Sequence, residues 1–131
     1  MYKTLGTISL ILVIIITAPY WLRTLNSWTV KTKDKRFFSL LKFLRMLHKP
    51  LGLLLAVISV WHGYLAWGSL RPHTGMLAFL GFIITVILGG IHYKTKNKKV
   101  FKVHKIMALV SVALLLLHRL WPGALWYLFG I

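Results

Sequence analysis

The sequence predicts an all-α integral membrane protein in which four membrane-crossing helices pack as a bundle. Three observations predict it. Of the 131 residues, 58% are hydrophobic, and the mean hydropathy is +0.75, well above that of soluble domains. The apolar residues gather into four segments, each long enough for the roughly 20 residues a helical span needs. The 17 Lys and Arg, set against one acid, Asp34, crowd into two of the connections between those segments, as membrane topology requires.

The first span is expected at about 5–22, dense in Ile, Leu and Val. Lys3, this apolar run and Ala18 also fit the layout of a signal peptide; the expectation here is a retained helix. The second span is expected at about 50–70, with a basic amphipathic lead-in from Phe37. The third covers about 75–93. The fourth covers about 100–121, its first turn interrupted by Lys102, His104 and Lys105. The tail WPGALWYLFGI is rich in aromatic residues and suits the membrane interface. In lipid these spans must be helices, because an unpaired backbone group is too costly there. The chain is expected to be one domain over residues 1–131.

The first connection and its flanks hold Arg23, Lys31, Lys33, Lys35, Arg36, Lys42, Arg45 and Lys49. The third holds Lys94, Lys96, Lys98, Lys99, Lys102 and Lys105. The other side has only Lys3, Arg71 and Arg119. The positive-inside rule then puts both basic connections in the cytoplasm and both termini outside. Tyr20 and Trp21 fall in the inner aromatic belt, and Trp67, Trp121 and Trp126 in the outer one. A charge of +16 in a soluble protein would point to nucleic acid; beside hydrophobic spans it points to topology, and no nucleic-acid partner is expected.

Composition excludes several chemistries. With no cysteine there are no disulfides, thiolate metal sites or cysteine-ligated iron–sulfur clusters within these residues. One acid leaves no carboxylate pair for glycoside chemistry and no acidic proton relay.

The histidines carry the functional signal. Residues 48–62 read HKPLGLLLAVISVWH, and residues 104–118 read HKIMALVSVALLLLH. Fourteen residues make close to four helical turns, so both histidines of a pair share a face, about 40° apart and about 21 Å apart along the axis. The second and fourth helices run the same way through the membrane. His48 is then level with His104, and His62 with His118. Two facing histidines at one depth can ligate a haem iron from opposite sides, so two such levels predict two haems between helices 2 and 4. Gly52 and Ala108, one turn after the inner histidines, give a flat macrocycle the room it needs. The third helix carries a small stripe of Ala78, Gly81, Thr85 and Gly89, which also suits ordinary close packing.

A single intramembrane histidine more often serves a helix–helix hydrogen bond, a proton path or zinc. Zinc would gather its ligands at one centre, and a proton path would recruit acids that the spans lack. His73, after Arg71-Pro72, is expected to be solvated. His92, three residues after Gly89, is expected to point inward. There it could meet a propionate, border a quinone pocket, or replace His48 or His104 as the inner ligand.

The pattern resembles the di-haem b-type cytochromes. It is similar to the four-helix haem bundle of the cytochrome b subunit of bc-type quinol-oxidising complexes, where two helices each carry His-x13-His. The transmembrane domain of ferric reductases and NADPH oxidases uses nearly the same frame. The matching residues are His48, His62, His104 and His118, and the resemblance covers about residues 38–121. Within these residues the later helices and quinol-site motif of the bc subunit are missing, as are the flavin and nicotinamide domains of the oxidases.

The resemblance implies two non-covalent haem b groups and electron transfer across the membrane, as a subunit of an oxidoreductase complex rather than a complete enzyme. Lys49 and Lys105 are the candidates for inner propionates, with Arg45 nearby; Arg119 and Arg71 are the outer candidates. For the inner bases, topology and lipid headgroups are the favoured explanation. The implied partners are a soluble flavin or iron–sulfur protein and the quinone pool or the far membrane face. Two alternatives stay open. One is a quinone-reactive anchor subunit of a larger enzyme. The other is a non-redox membrane protein whose basic loops bind acidic partners or lipid.

Overall fold

The computed structural model describes residues 1–66 and 73–130. The expected end of the second span at 67–70, with Trp67 and Arg71, lies outside the described residues. The described chain is all-helical: α1 (Tyr2–Leu25), a π-helical turn (Asn26–Val30), α2 (Lys35–Ala66), α3 (Thr74–Thr95), α4 (Lys98–Leu120) and α5 (Ala124–Phe129). Four of these helices are long and apolar enough to cross a membrane. The Ile- and Val-rich run of α1 is helical despite its β-branched residues, because a spanning segment has no other way to pair its backbone groups.

The structure falls into two compact units, divided within α2 between Ile58 and Ser59. The first holds α1, the π-helical turn and most of α2. Asn26 clamps the connection: its Oδ1 accepts from the Thr32 N–H at 2.9 Å, and its Nδ2 donates to the Thr32 carbonyl at 3.2 Å. Asp34 then caps α2, its Oδ1 accepting the Arg36 N–H at 2.9 Å. The amphipathic lead-in is part of α2, which runs unbroken for 32 residues through Pro50. At 1.5 Å per residue that is about 48 Å, against about 30 Å of hydrocarbon. Its basic first turns can therefore extend beyond the apolar layer. Pro50 has no N–H to give Met46, so one helical bond is missing while the helix continues.

The second unit is dominated by α3 packed on α4. A two-residue connection joins them, so they run antiparallel. Lys96 closes α3 in the left-handed region (φ 54°), its N–H bonding the His92 carbonyl, and Asn97 opens α4 by accepting the Lys99 N–H at 2.8 Å. The small stripe expected on α3 is its packing face, with Thr74, Ala78, Gly81 and Thr85 buried. Ser111 is the buried residue of α4, and its Oγ lies 3.1 Å from Thr85 Oγ1. A Cβ on Gly81 would stand 3.1 Å from the same oxygen, so glycine lets the two backbones come this close. After Pro122-Gly123 the tail forms α5, with Trp126, Tyr127, Leu128 and Phe129 all well exposed.

Candidate cofactor-ligating histidines

His104, Ser111 and His118 recur every seven residues on α4 and lie along one face. That face is turned onto α3. His104 sits against Gly89, where a Cβ would stand 3.2 Å from its Cε1 and 3.3 Å from its Nδ1. His118 sits against Gly75, where a Cβ would stand 2.8 Å from its Cε1. A small residue on α3 therefore opposes each polar residue on α4, and each histidine needs a glycine across from it.

Each of these rings is fixed by a hydrogen bond at Nδ1. His104 Nδ1 lies 2.9 Å from the Thr85 carbonyl. A carbonyl oxygen only accepts, so Nδ1 bears the proton. His118 Nδ1 lies 3.1 Å from Thr74 Oγ1. That hydroxyl donates to the Pro122 carbonyl at 2.9 Å, so it accepts from His118, and Nδ1 bears the proton here too. Thr74 is 0% exposed, which leaves this arrangement little room to change. Both imidazoles thus lay the Nδ1–Cε1 edge on α3 and carry the ring lone pair at Nε2.

In the first unit His48 does the same on another helix. Its Nδ1 lies 3.1 Å from the Ile16 carbonyl of α1. Ile16 lies mid-helix, so its carbonyl takes the His48 donor in addition to its place in the α1 ladder. Three of the four expected ligands therefore share one tautomer, with Nδ1–H on a protein oxygen. This is the state in which a histidine coordinates metal through Nε2, the Nδ1 bond setting ring orientation and raising basicity. The fourth, His62, is half-buried and is an electrostatic neighbour of His118. The donor chemistry fits an iron porphyrin.

Two histidines differ from expectation. His73 is half-buried rather than solvated. It caps α3, accepting the Met76 N–H at Nδ1, and its ring stacks on His118 with centroids 6.0 Å apart. Its proton therefore lies on Nε2, opposite to the other three. His92 turns toward the α3–α4 connection, with Nδ1 donating to the Asn97 carbonyl at 3.0 Å. Its ring stacks on Phe101 at 4.6 Å, and Phe101 lies 6.4 Å from His104.

Of the other expected site residues, a Cβ on Gly52 would meet nothing within 4 Å, and Ala108 is half-buried. Lys105 is exposed, its ammonium 5.0 Å above the Phe101 ring. Lys49 and Arg119 are exposed. Thr74, Thr85 and Ile16 went unnoticed as histidine partners in the sequence. Ile16 and Thr85 act through backbone carbonyls, which leave no side-chain signal in the sequence. Among the described residues, no group of three or more His, Cys, Asp or Glu side chains could hold a bare metal ion. Compared with protein-family models, with curated proteins and with solved structures, the chain matches none.

Proposed function

We propose that this chain is a di-haem b-type membrane cytochrome, a subunit that relays electrons between a soluble flavin or iron–sulfur protein and the quinone pool or the opposite membrane face. The reading rests on two His-x13-His pairs in apolar helices, and one observation carries it. His48, His104 and His118 each hold Nδ1–H on a protein oxygen, the tautomer in which a histidine would coordinate through Nε2. The haem would supply reversible one-electron exchange at iron.

The residues have separate tasks. His48 with His104, and His62 with His118, would hold the two haem irons through Nε2. Iron held by two histidines would have little room for oxygen. The Ile16 and Thr85 carbonyls and the Thr74 hydroxyl would fix the orientation of the three rings. Gly75 and Gly89 let α3 approach the ligand rings closely. The apolar faces of the spans keep water away. Lys49, Lys105 and Arg119 can offer positive charge to propionates at the two ends. Lys96, Lys98 and Lys99 offer it to an acidic partner protein.

Single histidine-to-alanine variants test this reading through reduced-minus-oxidised spectra. His62→Ala and His118→Ala should remove one b-type signal, and His48→Ala and His104→Ala the other. If His104→Ala keeps both signals while His92→Ala loses one, His92 is the inner ligand. If all four variants keep the wild-type spectrum, the axial assignment fails.

A further inference from the structure

We propose that a cleft between the end of α1 and the start of α2 binds the phosphate of an anionic phospholipid, with Arg23 and Arg45 as its ligands. The cleft has a volume of about 310 Å³ and is lined by Pro19, Arg23, Phe38, Leu41 and Arg45. Phe38, Leu41 and Arg45 share one face of α2 at spacings of three and four, and Pro19 and Arg23 share one face of α1. All five belong to the first compact unit.

Both arginines are exposed, and the sequence offers them little acid to pair with. The sequence holds one Asp or Glu side chain, Asp34, and its Oδ1 caps α2 by accepting the Arg36 N–H. No second side-chain carboxylate exists to pair with two guanidinium groups in one cleft. Arg45 Nε donates to the Leu41 carbonyl at 3.3 Å, which ties the guanidinium back to its own helix and restricts its motion. A planar fork held in this way suits two phosphate oxygens better than a point charge does.

The rest of the lining identifies which phosphate. Leu41 is 2% exposed and Phe38 is 46% exposed, and with Pro19 they make an apolar wall beside the arginines. Free phosphate gains nothing from such a wall, whereas the glycerol and upper acyl carbons of a lipid do. A second cleft of about 620 Å³, lined by Lys42, Arg45, Met46 and Lys49, shares Arg45 and extends the basic rim. Residues of this kind, where basic helix ends meet apolar spans, fall at headgroup depth. The inference goes beyond the redox reading and does not require it.

The test uses the full chain in detergent micelles, titrated with phosphatidylglycerol or phosphatidylcholine of matched acyl chains, with bound lipid counted by native mass spectrometry. Phosphatidylglycerol should be retained in preference. Arg23→Gln and Arg45→Gln should each weaken retention by about tenfold, the loss of one charge-assisted contact. Arg45→Lys, which keeps the charge and the helix, should still lose several-fold. Lys33→Gln and Lys102→Gln remove the same charge elsewhere and should bind as the wild type does. Equal weakening by those lysine variants, or full retention by the arginine variants, would overturn the site. Displacement of the lipid by inorganic phosphate would make it a free-phosphate site and overturn the lipid assignment. Loss of haem with unchanged lipid retention in the arginine variants would assign the pair to a propionate and overturn it too.

Discussion

Substitution of Gly52 separates an occupied helix face from an empty one. Gly52 lies one turn after His48 on α2, and a Cβ built there meets no heavy atom within 4 Å. In the protein alone, Gly52→Ala has no packing cost and should gain about 0.5–1 kcal/mol from the helix backbone. Gly52→Leu should be tolerated as well. A macrocycle held by His48 against the same face would reverse the sign. The added side chain would then press on the ring at an overpacking cost of about 1–3 kcal/mol, or roughly 5- to 150-fold in haem retention. The assay is the haem-to-protein ratio and reduced-minus-oxidised spectrum of each variant, with thermal unfolding of haem-depleted protein alongside. The expected result is one weakened or missing spectral component in Gly52→Leu over an unperturbed fold. A Gly52→Leu protein with both signals unchanged would refute the placement of a macrocycle on this face.

Gly75→Ala should behave differently, because its Cβ would stand 2.8 Å from His118 Cε1 and 3.0 Å from the His73 ring. The clash lies within the protein, so unfolding should fall by about 1–3 kcal/mol with or without haem. Thr74→Val takes away the acceptor of His118 Nδ1–H and should weaken haem binding at that level about 10- to 100-fold; Thr74→Ser should restore it in the same haem titration. Lys96→Gly relieves a left-handed residue at the end of α3 and should raise thermal stability by about 1–2 kcal/mol. Reporter fusions should read Asn97 as cytoplasmic and the C-terminus as extracytoplasmic, and the opposite pattern would invert the topology. In the purified chain NADH should reduce the haems slowly. An acidic iron–sulfur or flavin protein should reduce them at a rate that falls with salt and with charge reversal at Lys96, Lys98 and Lys99. Fast NADH reduction would overturn the relay reading.

Composition made the four long helices legible, because a run such as the Ile-rich part of α1 has one viable backbone state in lipid. Helix ends were less legible. The second span was expected from about Pro50 with an amphipathic lead-in from Phe37, and the two form one helix that Asp34 caps. Nothing between Asp34 and Pro50 breaks helical geometry, and losing one bond at Met46 does not stop propagation. The fourteen-residue spacing put His104 and His118 on one face of α4, and both lie on the side turned to α3. The contact with α3 was not legible, because periodicity shows which residues share a face and not what covers them. The Nδ1 partners were hidden for a related reason: two of them, Ile16 and Thr85, act through backbone carbonyls, which no side-chain pattern encodes. His73 was expected to be solvated because it follows Arg71-Pro72, and histidine is not among the usual N-cap residues. Thr74 beside it is fully buried as the acceptor for His118.

The most direct measurement is a haem count on the purified chain, combined with electron paramagnetic resonance of the oxidised protein. Two non-covalent b-type haems per chain are expected, because the sequence has no cysteine for covalent attachment. Both should be low-spin with two histidine ligands, as the proposed pairing requires. A chain that binds no haem, binds only one, or gives a high-spin signal with an open axial position would contradict the assignment of His48, His62, His104 and His118.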